Sequence, residues 1–226
     1  MKDQYALNQQ KYKGILFDLD GTLLDTANDL GAALNYILAR HKLPKINKEE
    51  FRPLASDGAK GLIELGFSEQ LDQFNYDDLR AEFLRFYQQN IAIHSCVYPG
   101  ITRLIATLNE ADIPWGIVTN KPIGLTLELL AKFPLFAKSH SIIGGDSLPQ
   151  RKPHPAPLLH ACKQLNIAPV ECLFVGDAPR DIEAGNAANM DTVIAKWGYI
   201  KNVEQCNLWQ ANFIASSPKN ISDIIL

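Results

Sequence analysis

Short apolar runs of strand length alternate along this chain with amphipathic stretches of helix length. The runs lie at residues 15–17, 115–118, 141–143, 173–175 and 192–195. Such alternation is typical of βα units, in which each helix crosses from one strand of a parallel sheet to the next. The sequence therefore predicts an α/β protein with a mainly parallel sheet. It disfavours all-helical and all-β architectures.

The spacing between the first two runs indicates an inserted segment. A single crossover helix needs only about a dozen residues or slightly more, whereas residues 18–114 separate these two runs. Apolar residues in the segment recur at helical spacing, and Thr26 followed by Asp29 predicts a capping box at its first helix. We expect an α-helical cap at 26–94, inserted into a Rossmann-like three-layer core formed by 1–25 and 95–226.

Composition and charge exclude several classes of protein. The chain has 226 residues, of which 46% are hydrophobic, and 22 Lys and Arg against 25 Asp and Glu give a net charge of −3. No global field attracts nucleic acid or an anionic membrane, so an anionic ligand must be held locally. The four cysteines form no CxxC pair, and the polar start at 1–14 contains no membrane span. We expect a cytoplasmic protein that contacts neither nucleic acid nor membrane.

The first apolar run ends in two carboxylates, Asp18 and Asp20, followed by Gly21. Carboxylates held close together repel each other unless a cation or a shared proton compensates them. Glycine permits a tight change of chain direction after such a pair. A metal site and a solvated turn both explain this segment when it is considered alone.

Three further segments carry polar groups near strand ends. Thr119 and Asn120 offer a hydroxyl and backbone N–H groups for phosphate oxygens, or a helix cap. Lys152 lies in a proline-stiffened loop and is either a fixed cation or a surface lysine. Asp177 and Asp181 are further metal-ligand candidates, although Asp181 also suits a helix start. Because the carboxyl ends of parallel strands share one edge of a sheet, these residues are expected to converge there.

Taken in order, four segments resemble the four motifs of the haloacid dehalogenase-like hydrolases. They are DLDGTLLDT at 18–26, TNK at 119–121, RKP at 151–153 and GDAPRD at 176–181. Within that superfamily the chain resembles the phosphoglycolate phosphatase-like family, from Gly14 onward. Short stretches at 92–95, 115–122, 160–163 and 197–200 resemble the N-acetylmuramic acid 6-phosphate phosphatases of bacterial cell-wall recycling more closely.

The resemblance implies a Mg²⁺-dependent phosphomonoester hydrolase that forms an aspartyl-phosphate intermediate. Asp18 would be the nucleophile, and Asp20 would protonate the leaving alcohol and later activate water. The Mg²⁺ ligands would be Asp18, the Asp20 backbone carbonyl and Asp177, with Asp181 in support. Two similar acids can take opposite roles when only one of them is metal-bound and ionised.

The resemblance also implies the phosphate-binding groups. Thr119 and the Asn120 backbone would bind the transferring phosphoryl group, and Lys152 would offset its charge in the transition state. Substrate recognition would then fall to the cap, where the turn at 56–61 offers Gly58 and Lys60 to an anionic substrate. An exposed lysine at an ordinary helix start explains this turn equally well.

The sequence leaves several alternatives open. A small phosphate ester is the expected partner, and both 2-phosphoglycolate and N-acetylmuramic acid 6-phosphate carry a carboxylate that suits a cationic reader. A receiver-like phospho-aspartate signalling module is a remoter alternative, although such a module has no helical insert after its first strand. The oligomeric state is either monomer or homodimer. His94 is a candidate for facing the cleft, and the role of residues 197–199 stays open.

Overall fold

The computed structural model describes residues 11–226, and within them the predicted α/β core is confirmed. Six strands form one parallel sheet in the order β5-β4-β1-β6-β7-β8, and two short strands pair antiparallel. The strands are β1 (Gly14–Phe17), β2 (Leu24–Asp25), β3 (Cys96–Val97), β4 (Trp115–Val118), β5 (Ser141–Ile143), β6 (Cys172–Gly176), β7 (Asp191–Ala195) and β8 (Phe213–Ala215). Residues 1–10 of the predicted core lie outside the described residues.

Nine helices of α type occur in residues 11–226. They are α1 (Ala27–Arg40), α2 (Lys48–Phe51), α3 (Gly58–Phe67), α4 (Tyr76–Gln89), α5 (Ile101–Glu110), α6 (Ile123–Leu130), α7 (Ala156–Leu165), α8 (Pro179–Ala187) and α9 (Pro218–Ile225). Within this described range, no helix is both long enough and apolar enough to cross a membrane.

Alternating side chains of the central strands enter two separate cores, one on each face of the sheet. Leu16 and Phe174 belong to a buried cluster with residues of α7 and α8. Ile15 and Phe17 belong to the cluster that includes residues of α5 and α9. Successive side chains of a strand point to opposite faces, so strands buried on both faces read as continuous apolar runs. The three-layer Rossmann-like architecture is confirmed.

All five predicted runs are strands, but the sequence missed three others. Strand β8 lies at the edge of the sheet, and its central residue Ile214 is 45% exposed. A three-residue, half-exposed edge strand has little apolar signal. Strands β2 and β3 are two residues each and pair across the insert, Leu24 with Val97 and Asp25 with Cys96. Their pairing depends on the path of the intervening chain.

Helices α1 to α4 lie within the predicted insert and pack on one another. Helix α1 contacts both α3 and α4. Phe51, Phe67 and Phe83 are among the buried aromatic residues of this group. The antiparallel pair of β2 and β3 holds the two ends of the insert side by side, so the chain leaves the sheet and returns to it at one place.

The predicted capping box at the start of α1 is wrong. Thr26 has φ −105° and ψ 0° and makes no capping hydrogen bond, whereas a capping residue usually has extended backbone. Its hydroxyl instead donates to Asp20 Oδ1 at 2.5 Å. Asp29 accepts from the backbone N–H groups of His94 and Ser95 at 2.9 to 3.1 Å and from the Ser95 hydroxyl at 2.6 Å. Both side chains are committed to long-range partners.

Candidate active site

The three central strands of the sheet end in the polar residues that the sequence singled out. Asp18 follows β1, Thr119 follows β4 and Asp177 follows β6, and β1 lies between the other two strands. All three side chains are buried. The parallel sheet therefore brings together residues that lie far apart in the chain, at the edge where ligands of such sheets bind.

Three carboxylates meet at this edge around one lysine. One oxygen each from Asp18, Asp177 and Asp181 lies within 4.8 Å of the others, and all three residues are buried. Lys152 Nζ lies 2.9 Å from Asp18 Oδ1 and 2.8 Å from Asp181 Oδ1. It also donates to the Val118 carbonyl at 2.7 Å. Lys152 is 2% exposed, so the interpretation as a surface lysine is wrong.

The charge of this cluster favours a divalent cation. Burial, together with repulsion from Asp18 and Asp181, raises the pKa of Asp177 to about 7. Burial also raises the pKa of Asp181, although Lys152 opposes that shift. One lysine among three buried carboxylates leaves an excess of negative charge, and oxygen-only ligands suit hard divalent ions. The residues present therefore fit a divalent metal.

Asp177 is fixed by donors from three other parts of the chain. Thr22 Oγ1 donates to Oδ1 at 3.1 Å, whereas Ser56 Oγ and the Tyr199 backbone N–H donate to Oδ2 at 2.7 and 2.9 Å. Gly21 has φ +89°, and a Cβ there would lie 2.2 Å from Asp177 Oδ2. Glycine at position 21 is thus required both by its backbone conformation and by the close approach of this carboxylate.

The second carboxylate of the DLD segment occupies a different environment. Lys121 Nζ lies 3.1 Å from both oxygens of Asp20, and the Thr26 hydroxyl also donates to Asp20. The Lys121 side chain is 6% exposed. Burial lowers the pKa of Lys121, but the charge of Asp20 together with the contacts of Tyr87 raises it above the ordinary value. Asp18 and Asp20 are therefore stabilised by different lysines, which suits different chemical roles.

Thr119 and Asn120 adjoin the lysine loop. Thr119 is 4% exposed. Asn120 Nδ2 donates to the Lys152 carbonyl at 2.8 Å and so ties the loop after β4 to the loop that carries Lys152. The Asn120 side-chain oxygen is buried without a hydrogen-bond partner in residues 11–226. The sequence named Asn120 for its backbone, whereas the structure gives its side chain a positioning contact.

A cavity of about 990 Å³ lies between this edge of the sheet and the inserted helices. Its wall includes Asp18, Asp20, Thr119 and Lys152 from the core, and Phe83 and Tyr87 from α4. Ligand sites are typically concave, with a few polar groups among apolar walls. The cavity therefore places both apolar and charged residues of the inserted helices opposite the polar strand ends.

Gly58 and Lys60 also line this cavity. Gly58 opens α3 with φ +62°, and a Cβ there would meet nothing within 4 Å. The Lys60 side chain is 70% exposed, and its Nζ is 3.9 Å from Glu64 Oε1. Gly58 and Lys60 thus lie at the cavity, with the Lys60 side chain largely open to solvent. Their role in binding substrate stays a prediction.

Arg180 joins the turn at 56–57 to the core. Its Nη1 lies 3.0 Å from Asp57 Oδ1, and its Nη2 donates to the Ser56 carbonyl. The sequence included Arg180 in the GDAPRD motif without giving it a role. The sequence feature that could have pointed to Arg180 is a basic residue next to Asp181. Such a residue also suits an ordinary helix surface.

Tyr199 gives residues 197–199 a role at the start of the insert. Its hydroxyl accepts from the backbone N–H groups of Thr26 and Ala27 and donates to Asp25 Oδ1 at 3.0 Å. No sequence pattern predicts these contacts. His94, the candidate for facing the cleft, is exposed and does not line the cavity formed by residues 11–226.

A family model described as haloacid dehalogenase-like hydrolase matches residues 15–195. The chain therefore belongs to the haloacid dehalogenase-like hydrolases, as its four motifs indicated. Within that family it is a phosphatase. It is 36% identical over 219 residues to the N-acetylmuramic acid 6-phosphate phosphatase of Pseudomonas aeruginosa, covering 97% of each chain. It is 37% identical over 209 residues to the phosphoglycolate phosphatase of Xanthomonas campestris pv. campestris, covering 92% of this chain and 94% of the relative.

A solved structure supports the fold and the family. It is described as a predicted phosphoglycolate phosphatase from Haemophilus somnus, and its TM-score to this chain is 0.86 at 27% identity. The match covers 96% of this chain and 100% of the other. The inserted helices are thus part of the shared structure.

Proposed function

We propose that this phosphatase is a Mg²⁺-dependent phosphomonoester hydrolase that acts through an aspartyl-phosphate on Asp18. The observation that carries the proposal is the position of Lys152, 2.9 Å from Asp18 within a buried cluster of three carboxylates that borders the cavity. A buried cation beside the nucleophile can compensate the charge of a transferring phosphoryl group.

In the first step an Asp18 oxygen attacks phosphorus, and the bond from phosphorus to the leaving oxygen breaks. The Leu19 backbone N–H donates to Asp18 Oδ1 at 2.7 Å and so orients the carboxylate. Asp20 transfers its proton to the leaving alcohol, as a general acid. Thr119 and the Asn120 backbone bind the phosphoryl oxygens. Asp18, the Asp20 backbone carbonyl and Asp177, with Asp181 in support, would hold Mg²⁺, which would screen the phosphate charge when bound.

In the second step water attacks phosphorus, the bond from phosphorus to the Asp18 oxygen breaks, and Asp20 accepts the proton of the water, which restores the Asp18 carboxylate and the protonated Asp20. Splitting one displacement into two easier steps is the advantage of a covalent intermediate. Inorganic phosphate then leaves through the cavity.

The inserted segment at 26–94 acts in this proposal as a cap over a core formed by 1–25 and 95–226. The hydrogen bond from Ser56 to Asp177 and the contacts of Arg180 with the turn at 56–57 support this division, because they close the insert onto the strand ends. Closure excludes water from the reacting groups. Gly58 and Lys60 contact the substrate from the cap. A monomer or homodimer in the cytoplasm remains the expectation for the whole enzyme.

The substrate is a small phosphate ester, with 2-phosphoglycolate as the first candidate and N-acetylmuramic acid 6-phosphate as the second. One relative named for each of the two activities matches over most of this chain. The second candidate is favoured by one observation: the cavity of about 990 Å³ also includes Arg80 and Arg151 in its wall, and typical ligand pockets have about 300 to 1,000 Å³. A two-carbon ester occupies only a small part of this volume.

The test compares kcat/KM for the two esters, side by side with Mg²⁺. The blank is Asp18→Asn, and Asp223→Asn is the matched control because Asp223 is exposed on α9. A preference of about a hundredfold, or 2.7 kcal/mol, assigns the substrate. If both esters are hydrolysed only slowly and Asp18→Asn abolishes this activity, the mechanism is supported and neither ester is the substrate. Rates that survive Asp18→Asn refute the mechanism.

A further inference from the structure

Tyr87 carries a buried phenol hydroxyl that makes no hydrogen bond within the part of the chain that the structure describes. It lies on α4, is 1% exposed, and its hydroxyl has no partner among residues 11–226. Buried tyrosine hydroxyls usually find one, because an unpaired buried polar group is costly. The same side chain forms part of the cavity wall. An oxygen of a bound ligand would satisfy this hydroxyl.

Lys121 presents a second donor at the same place. Its ammonium lies 4.5 Å from the centroid of the Tyr87 ring and 3.1 Å from each oxygen of Asp20. An ammonium group has three N–H donors, one more than the two contacts with Asp20 use, and the nitrogen that carries it lies against the Tyr87 ring. Lys121 also lines the cavity.

The position of these donors relative to the reacting atoms follows from Asp20. As the general acid, Asp20 must approach the leaving oxygen to about 3 Å. Lys121 is in direct contact with the same carboxylate. An oxygen on the second carbon of the leaving group, three bonds beyond the ester oxygen, is therefore within reach of Lys121 and Tyr87.

We propose that Tyr87 and Lys121 form a leaving-group subsite that binds an acceptor oxygen on the second carbon of the alcohol. The inference rests on the proposed function, because it uses Asp20 to locate the ester oxygen. The substrates selected are phosphate esters whose second carbon carries a carboxylate or another accepting oxygen. Both subsite groups donate, so a methyl group at this position leaves the Tyr87 hydroxyl unpaired.

The subsite combines one residue of the insert with one of the core. Tyr87 lies on α4, whereas Lys121 follows β4 in the TNK motif. The two donors meet only when the inserted helices lie against the strand ends. Recognition of the leaving group is thereby linked to the closed arrangement of the molecule.

The experiment measures kcat/KM of Tyr87→Phe for 2-phosphoglycolate and for ethyl phosphate, which has the same two carbons but no accepting oxygen on the second. The phenylalanine keeps the ring and removes only the hydroxyl. We expect the ratio of the two values to fall at least tenfold. Tyr36→Phe is the matched control: Tyr36 lies on α1, is 37% exposed and stacks on Phe86, and this variant keeps the wild-type ratio.

An unchanged ratio in Tyr87→Phe, or equal losses on both esters, overturns the subsite. Binding provides a second measurement that needs no turnover. In Asp18→Asn protein with Mg²⁺, calorimetry compares 3-phosphonopropionate with propylphosphonate, and the advantage of the carboxylate should disappear when Tyr87→Phe is added. If the advantage persists, the subsite is wrong. If hydrolysis of both esters survives Asp18→Asn, the proposed function fails, whatever the binding result.

Discussion

Ser56 Oγ donates a hydrogen bond of 2.7 Å to Asp177 Oδ2. Ser56 belongs to the inserted segment, whereas Asp177 follows a central strand of the sheet. The contact therefore reaches from the insert into the carboxylate cluster that fits a metal. It means that the position of the inserted helices and the geometry of this cluster are physically connected, and that a change in one affects the other.

Arg180 is expected to hold the insert against the core. The change Arg180→Gln removes the ion pair with Asp57 and weakens the contact with the Ser56 carbonyl. A lost charged hydrogen bond of this kind should raise KM by about tenfold, which corresponds to 1.4 kcal/mol, with a smaller effect on kcat. Steady-state kinetics, on the ester that the substrate comparison selects, measures KM and kcat.

The matched control for this change is Arg103→Gln, because Arg103 is an exposed arginine on α5. Hydrogen exchange of the backbone amides at 56–61 should also accelerate in Arg180→Gln and not in the control. A large fall in kcat of Arg180→Gln at constant KM would contradict the role of Arg180 in holding the insert.

Lys152 is expected to support both folding and catalysis. In Lys152→Met, the buried carboxylates of Asp18 and Asp181 lose their counter-charge. Breaking a buried ion pair from one side typically costs about 3 to 5 kcal/mol. Without metal, the free energy of unfolding in urea should fall by about that amount. With Mg²⁺ present, the rate of ester hydrolysis should fall by a hundredfold or more.

Added Mg²⁺ should restore part of the stability of Lys152→Met, because a dication also compensates the carboxylates, while activity stays low. Lys163→Met is the control, since Lys163 is exposed on α7. Equal stability of Lys152→Met and this control in metal-free buffer would show that the cluster does not depend on the lysine.

The stability of the metal-free enzyme should decline between about pH 4 and pH 7. The pKa of Asp177 is about 7, raised by burial and by its acidic neighbours, against an ordinary value of 3.8. The folded state therefore binds this proton more tightly than the unfolded state does. The resulting contribution to stability is complete below pH 4 and is lost as the pH rises to about 7.

Urea unfolding in a chelator across this pH range measures the effect. The difference between wild type and Asp177→Asn, which carries no titrating group at this position, should follow the same pH interval. Saturating Mg²⁺ should remove the decline, because the metal favours the ionised carboxylate. A difference that is constant from pH 4 to 7 would be inconsistent with the raised pKa.

The sheet and the set of polar residues at its edge were predictable from the sequence. Runs buried on both faces are continuous and apolar, so the strands β1, β4, β5, β6 and β7 could be predicted from the apolar pattern along the chain. Convergence of Asp18, Thr119 and Asp177 followed from the parallel direction of those strands, since their carboxyl ends share one edge. These features depend on local pattern and on general topology.

The pairing and the burial of the carboxylates, in contrast, depend on tertiary packing. Asp18 pairs with Lys152, Asp20 pairs with Lys121 and Asp177 accepts from Ser56, and the two members of each pair lie 101 or more positions apart in the chain. Such contacts depend on the path of the insert and on helix packing, which determine burial and therefore electrostatic strength. A local sequence pattern does not specify the path of the insert or the packing of its helices. Most of the charged groups could therefore be identified from the sequence, whereas the packed structure determines which of them act together.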